Sequence, residues 1–150
     1  MPLKIISGGQ TGADRAALDW AIANNIPHSG WCPQGRRAED GVIADRYQLD
    51  ETPSGDYEQR TEWNVRDSDG TLVLTRGKPT EGTAFTIELA KKLGKPCLVL
   101  DLNDAPSEAA VRTWANAHKV RVLNVAGPRE SKCPGIYAQA TEFLRKVLSG

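Results

Sequence analysis

Hydrophobic and polar positions along the chain follow two alternating patterns. Short, almost wholly apolar runs, such as Leu3 to Ile6, Thr71 to Leu74 and Cys97 to Leu100, predict buried strands. Between them lie longer stretches whose apolar residues recur every three or four positions, which is typical of amphipathic helices. The predicted helices are Gly12 to Asn24, Asp56 to Asp67, Gly82 to Leu93, Ser107 to His118 and Gly135 to Leu148.

Weaker patterns complete the predicted order of elements. We expect a short strand at His28 to Trp31, a short edge strand at Tyr47 to Glu51 and a further buried strand at Val120 to Val125. The segment from Cys32 to Asp45 is rich in Arg and Gly and predicts a loop. Apolar strands separated by amphipathic helices indicate a parallel sheet covered on both faces. The sequence therefore predicts an α/β fold, a Rossmann-like three-layer sandwich with a mainly parallel sheet, as a single domain over residues 1–150.

Composition narrows the possible partners. The 19 basic and 19 acidic residues give a net charge of zero, whereas nucleic-acid binding calls for a basic excess, so we expect no nucleic-acid partner. The three cysteines form no C-x-x-C spacing and there are two histidines, so no structural metal is expected. The apolar run at Leu3 to Ile6 is too short for a signal sequence or a membrane span, which predicts a cytoplasmic protein without membrane contact.

A first glycine-bearing turn, Ser7 to Arg15, joins the first strand to the first helix. Glycine lets the backbone turn sharply and approach a ligand, and a helix N-terminus supplies unpaired N–H groups with a partial positive charge. The turn therefore predicts an anion site, with Thr11 as helix N-cap and Asp14 three residues later. Arg15 either meets the anion or forms a surface pair with Asp19. The glycine order matches neither a G-x-G-x-x-G dinucleotide fingerprint nor a Walker A loop.

A second glycine-bearing turn, Thr75 to Thr83, follows a buried strand and opens the next helix. Thr80 and Thr83 offer hydroxyls, and Gly82 offers a close approach of the backbone. At the switch point of a doubly wound sheet the first strand and the strand before this turn are neighbours, and ligands bind outside their carboxyl ends. We therefore expect both turns to face one cleft.

Polar side chains elsewhere are weaker candidates. Four residues at i, i+3, i+4 and i+7 share one face of the middle helix, which either lines a polar cavity or faces solvent: Tyr57, Arg60, Thr61 and Asn64. Arg36 and Arg37 in the preceding loop either contact an anion or are solvated. Glu88 either reaches the cleft as a general acid or base, or pairs with Lys91 or Lys92.

Seven segments form a specific pattern over nearly the whole chain: Gly8 to Asp19, Gly30 to Pro33, Gly35 to Gly41, Tyr57 to Val65, Asp67 to Leu72, Gly82 to Thr83 and Asn124 to Arg129. In this pattern the chain resembles the molybdenum cofactor carrier protein family. The resemblance implies a Rossmann-like fold in the group that contains the LONELY GUY phosphoribohydrolases, once labelled lysine decarboxylase-like. It also implies a homo-oligomer, a tetramer, and binding of molybdenum cofactor, a molybdopterin with a terminal phosphate.

The turns, the polar helix and the resemblance together predict one set of cofactor-binding residues. They are Gly8, Gly9, Gln10, Thr11, Gly12, Arg15, Arg36, Arg60, Asn64, Thr80, Gly82 and Thr83. The glycines with Thr11 and Thr83 are expected to hold phosphate, and the arginines with Asn64 to hold other polar groups.

Three functions remain open at this point. The first is a carrier or storage protein that binds the cofactor without chemistry. The second is an enzyme that cleaves a nucleoside 5′-monophosphate, with Arg60 orienting the substrate and Glu81 or Glu88 as acid–base. Phosphoribohydrolases show Pro-Gly-Gly-x-Gly-Thr before paired acids, whereas this chain reads Pro79-Thr80-Glu81-Gly82-Thr83, so the catalytic pattern is not clearly kept. The third is a nucleotide sensor whose oligomer changes on binding.

Overall fold

The protein is described by a computed structural model that covers residues 2–79 and 81–148. Short strands and helices alternate along the chain much as the hydrophobic pattern predicts. In chain order the elements are β1 (Lys4–Ile6), α1 (Ala13–Ala23), β2 (His28–Ser29), β3 (Trp31–Cys32), β4 (Arg37–Ala38), β5 (Gly41–Val42), β6 (Asp50–Glu51), α2 (Tyr57–Arg66), β7 (Gly70–Thr75), α3 (Glu81–Lys92), β8 (Cys97–Asp101), α4 (Glu108–Ala117), β9 (Val122–Ala126) and α5 (Ile136–Leu148).

Five strands form one parallel sheet in the order β2-β1-β9-β7-β8. β9 lies between β1 and β7, because Leu123 pairs with Ile5 on one side and Val125 pairs with Leu72 on the other. The expectation that the first strand and β7 are direct neighbours is therefore wrong. The physical reason is long-range packing: α5, which follows β9, packs against α1, and this contact brings β9 beside β1.

Helices cover the sheet in two groups. α1, α5 and α4 contact one another in series, and α2 contacts α3. The main hydrophobic core joins the first group to the sheet, with Leu72, Leu123 and Leu144 almost fully buried. β7 is buried along its whole length, as a strand covered on both faces should be. These features confirm the predicted Rossmann-like three-layer α/β fold.

The segment between β2 and α2 differs most from the prediction. The predicted strand at His28 to Trp31 is divided at Gly30, which has φ +147 and lies against the Ser7 carbonyl, so a Cβ there would collide with the backbone. Only the part before Gly30 joins the main sheet. The part after it is β3, which pairs in parallel with β6 in a separate sheet.

Two further predictions in this segment are wrong. The expected loop at Cys32 to Asp45 contains a small antiparallel hairpin of β4 and β5. The expected edge strand at Tyr47 to Glu51 contributes only its last two residues, in β6 and away from the main sheet. A second small core holds the segment against α1, formed by Leu18, Cys32, Ile43, Tyr47 and Leu49. Side chains that meet across this core, rather than local periodicity, decide its conformation.

Candidate ligand-binding cavity

A cavity of about 450 Å³ opens where the carboxyl ends of β1, β9 and β7 meet. The loops after β1 and β9 form part of its wall, and the N-terminal halves of α2 and α3 complete it. Its lining residues are Gln10, Asp14, Tyr57, Glu58, Arg60, Thr61, Glu81, Gly82, Thr83, Phe85, Thr86, Ala126, Gly127, Pro128, Arg129 and Lys132. Residues of both glycine-bearing turns thus face one cavity, although β9 separates their strands.

Neighbouring atoms occupy the space beside the glycines of the first turn. A Cβ on Gly8 would collide with the Arg60 guanidinium, and one on Gly12 would collide with the Pro128 carbonyl. Gly9 has φ +76 and Gly12 has φ +79, so both lie in the left-handed region. None of these three glycines lines the cavity. Their close contacts hold the turn against α2 and the loop after β9.

The predicted N-cap at Thr11 is wrong. α1 begins after Gly12, which occupies the cap position without a side-chain hydrogen bond. The Thr11 hydroxyl instead donates to the Glu39 carboxylate and accepts from the Glu130 N–H at 3.1 Å. Thr11 therefore ties the first turn to two loops and lies outside the cavity lining.

Asp14 and Arg60 form an ion pair at the wall of the cavity. Arg60 Nη1 lies 3.5 Å from Asp14 Oδ2, and the Asp14 side chain is 5% exposed. Burial raises the pKa of the Asp14 carboxyl to about 6, against the opposing effect of the Arg60 guanidinium and of backbone N–H groups of Gln10 and Gly127. The sequence predicts Asp14 only as the partner of Thr11 in a capping box. Its place at the cavity wall depends on Arg60, which α2 brings to it from a distant part of the chain.

Gln10 is a buried polar residue of the lining, with 2% of its surface exposed. Its Nε2 donates to the Arg37 carbonyl at 2.9 Å, whereas its Oε1 has no hydrogen-bond partner among the described residues. The Nε of Arg60 is also buried without a partner there. An acceptor and a donor of the lining thus remain unsatisfied, although buried polar groups are normally paired.

The N-terminus of α3 forms a more open part of the wall. Glu81 begins the helix with φ +48, which is unusual for a residue other than glycine. Gly82 is exposed, and a Cβ there would meet no atom within 4 Å. Thr83 is buried and lines the cavity beside it. Thr80, another predicted binding residue, lies outside the described residues.

A third loop, which the two glycine-bearing turns do not predict, also lines the cavity. Gly127, Pro128, Arg129 and Lys132 follow β9 and line the cavity together with Ala126. The signal in the sequence is Gly127-Pro128-Arg129, which follows a buried strand directly, as each of the two glycine-bearing turns does. Its importance follows from the strand order, which places β9 between β1 and β7.

Three predicted residues are engaged elsewhere, and a fourth, Glu88, lies outside the cavity lining. Arg36 donates to the backbone carbonyls of the loop that carries Ile43 and Leu49, and Asn64 bonds both the N–H and the carbonyl of Trp31. Arg15 pairs with Asp40 at 3.0 Å and donates to the Gly9 carbonyl, so the expected pair with Asp19 is wrong. These three side chains stabilise the loops around the site. Glu88 is exposed, lies outside the lining and forms no ion pair with the described residues, so neither expectation for it is met.

The described part of the chain contains no metal-ligating cluster and places no cysteine in the cavity lining. No group of three or more His, Cys, Asp or Glu side chains there could hold a metal ion. Cys32 is buried in the second core, where burial raises the pKa of its thiol, and it does not line the cavity. None of the helices in residues 2–79 and 81–148 is both long and apolar enough to cross a membrane.

Comparison with known proteins agrees with this architecture. Residues 5–148 match the circularly permutated YpsA SLOG family, cpYpsA. A crystal structure from Syntrophus aciditrophicus SB, of a protein named "putative molybdenum carrier protein", is 50% identical, with a TM-score of 0.94 over 99% of this chain and 96% of that chain. No protein of curated function matches. The resemblance found in the sequence is thereby confirmed, and the chain belongs to the circularly permutated YpsA SLOG family.

Proposed function

We propose that the protein binds a phosphate-bearing cofactor in this cavity and carries it without chemical conversion, the cofactor being molybdenum cofactor. One observation carries the proposal: the open N-terminus of α3 and the cationic side chains Arg129 and Lys132 line the same cavity. The name of the similar protein from Syntrophus aciditrophicus SB supports the choice of cofactor.

The phosphate would lie at the N-terminus of α3. The first N–H groups of a helix have no partner within the helix and carry a partial positive charge, which together favour an anion. The free space over Gly82 allows a phosphate oxygen to approach the backbone without a steric obstacle. Arg129 and Lys132 add two positive charges to the same cavity. Thr83 offers a hydroxyl beside them.

The rest of the cavity suits the organic part of a cofactor. Its volume of about 450 Å³ lies in the range of roughly 300–1,000 Å³ that small-molecule sites occupy. Tyr57 and Phe85 supply aromatic surface, and Gln10 with Arg60 supplies polar groups. Such a mixture of apolar walls and a few fixed polar groups orients a ligand while it excludes water.

A charge placed over Gly82 tests the proposal directly. Molybdenum cofactor released from a molybdoenzyme, at about 100 times its dissociation constant, should stabilise the wild-type chain by roughly 2.7 kcal/mol in a thermal-shift measurement. Gly82→Asp should abolish this stabilisation, because the new carboxylate occupies the phosphate position and repels it. Gly82→Ala is the uncharged control and should retain more of the stabilisation than Gly82→Asp, because its methyl group meets no protein atom and adds bulk without charge. Equal binding by Gly82→Asp would contradict the proposal.

One observation favours hydrolysis of a nucleoside 5′-monophosphate as a second candidate. A carboxyl whose pKa is raised to about 6 lines the cavity, and perturbed carboxyls often serve as acid–base groups. In this candidate Arg60 orients the nucleotide, and Asp14 or Glu81 activates the water that displaces the base from the ribose. Incubation with AMP or GMP and chromatography of the free base distinguishes the two functions. Base release that Asp14→Asn or Glu81→Gln abolishes would support the enzyme, and an intact nucleotide would support the carrier.

The proposal also includes a cytoplasmic homo-oligomer, a tetramer, as the sequence resemblance implies. Light scattering on the full chain measures the mass directly, with and without nucleotide. A constant tetramer supports the carrier, and a mass that changes when AMP or GMP is added supports the nucleotide sensor.

A further inference from the structure

Two buried polar atoms of the cavity lining lack partners among the described residues: Oε1 of Gln10 and Nε of Arg60. The Gln10 amide has a defined orientation, because its Nε2 donates to the Arg37 carbonyl and only the oxygen remains free. Gln10 Oε1 is therefore an unsatisfied acceptor, and Arg60 Nε is an unsatisfied donor. A buried pair of this kind is what a complementary ligand would satisfy.

Contacts link both residues to Asp14, and the three are called the Gln10–Asp14–Arg60 cluster. The Asp14 carboxylate accepts from the Gln10 backbone N–H, and Arg60 Nη1 lies 3.5 Å from its Oδ2. Gly8 permits this arrangement, because the Arg60 guanidinium occupies the space that a Cβ at position 8 would need. Three linked residues of the lining thus carry two acceptors, Gln10 Oε1 and the Asp14 carboxylate, and one donor, Arg60 Nε.

A phosphate group does not satisfy this cluster. An ionised phosphate offers acceptor oxygens and negative charge, so it could pair with Arg60 but would leave Gln10 Oε1 unpaired and would face the Asp14 carboxylate. The cluster requires a ligand group with N–H donors beside a carbonyl. The 2-amino-4-oxopyrimidine ring, which guanine and pterins share, carries two adjacent N–H donor groups next to one carbonyl oxygen. Adenine carries an amino donor beside an acceptor nitrogen and lacks the second N–H donor on that edge.

We infer that the Gln10–Asp14–Arg60 cluster recognises a 2-amino-4-oxopyrimidine ring, as found in a pterin or in guanine. Gln10 Oε1 and Asp14 accept from the ring N–H groups, and Arg60 Nε donates to its carbonyl. The inference rests on the proposed function and deepens it, because it assigns the ring to this cluster and leaves the phosphate at the N-terminus of α3. The ring site would make the protein prefer one class of heterocycle among phosphate-bearing ligands.

Calorimetric titration of the full chain tests the inference with four probes. GMP carries the 2-amino-4-oxopyrimidine ring and a phosphate, and AMP carries adenine and a phosphate. Pterin carries the ring without a phosphate, and inorganic phosphate has no ring. We expect GMP to bind at least about tenfold more tightly than AMP, because adenine leaves an acceptor of the cluster unpaired. Pterin should bind detectably and should compete with GMP. Guanosine, which carries the ring without the phosphate, is added as a competitor, and a pterin that competes more strongly than guanosine identifies the pterin as the better source of the ring.

Variants separate the ring site from the phosphate site. Gln10→Leu should reduce the affinity for GMP by about tenfold, to the level of AMP, and leave the affinity for inorganic phosphate unchanged. Gly82→Asp should weaken GMP, AMP and inorganic phosphate alike and leave pterin binding intact. Should Gln10→Leu fail to fold, the ratio of GMP to AMP affinity in the wild type decides. Equal affinities for GMP and AMP would overturn the ring inference alone, whereas no binding of any phosphate-bearing probe would overturn the proposed function as well.

Discussion

The two glycine-bearing turns look alike in the sequence and differ in the structure. In the first, a Cβ on Gly8 or Gly12 would collide with a neighbouring side chain or carbonyl, and the turn is largely buried. In the second, a Cβ on Gly77 or Gly82 would meet no atom within 4 Å. The first turn is packed against α2 and the loop after β9, and the second leaves its backbone accessible.

The difference shows that glycine serves two separate purposes at one site. In the first turn it permits close packing, which places Asp14 and Arg60 at the cavity wall. In the second turn it leaves the start of α3 open to an approaching anion. A glycine-rich pattern after a strand therefore does not by itself identify the backbone that contacts a ligand. Only the neighbours that pack against the turn make this distinction.

Alanine at Gly12 should have the largest effect on stability. The substitution forces a Cβ into the left-handed region at φ +79 and against the Pro128 carbonyl. We expect a loss of at least about 2 kcal/mol in the free energy of unfolding. Gly82→Ala, the matched change in the second turn, should leave stability unchanged or raise it by up to about 1 kcal/mol, since alanine favours helix. Urea unfolding measures both, and equal losses would refute the contrast between the turns.

Alanine at Gly8 should affect binding more than stability. Gly8 has an ordinary backbone conformation, and its Cβ would collide with the end of the Arg60 side chain rather than with backbone atoms. We expect the fold to persist while the guanidinium moves out of the cluster, which lowers the affinity for GMP by about tenfold. Calorimetry measures the affinity, and unfolding in urea controls for stability. Unchanged GMP affinity would mean that the packed turn does not position Arg60 for the ligand.

The pH dependence of stability should report the buried carboxyl of the packed turn. The folded-state pKa of Asp14, about 6, lies above its ordinary value of 3.8. The folded protein thus binds this proton more tightly, and the resulting stabilisation is complete below pH 3.8 and lost as the pH rises through about 6. The stability of the wild type relative to Asp14→Asn should therefore increase by on the order of 1–3 kcal/mol from pH 7 to pH 4. A constant difference between the two would contradict this account.

The sequence predicts the sheet and helices well, because continuous apolar strands and amphipathic helices are local signals. β7, α3 and α5 lie close to their predicted ranges. The order of the strands is not a local property. The position of β9 between β1 and β7 depends on the packing of α5 against α1, which no single segment encodes.

The candidate site was predicted in part for the same reason. Gln10, Arg60, Gly82 and Thr83 lie in the lining as expected. Arg36 and Asn64 were plausible anion ligands by residue type, but their side chains bond loop and strand backbone that the periodic patterns do not reveal. A charged or amide side chain in a loop has several possible uses, and its neighbours in space determine which one applies.

A crystal structure of the full chain with bound GMP measures the central claim most directly, because it locates the phosphate and the ring in one experiment. The account predicts the phosphate at the N-terminus of α3, within hydrogen-bond distance of the backbone N–H groups around Gly82 and Thr83. It also predicts the guanine edge against Gln10 and Arg60. A phosphate held by the first turn instead, or a nucleotide bound outside the cavity, would contradict it.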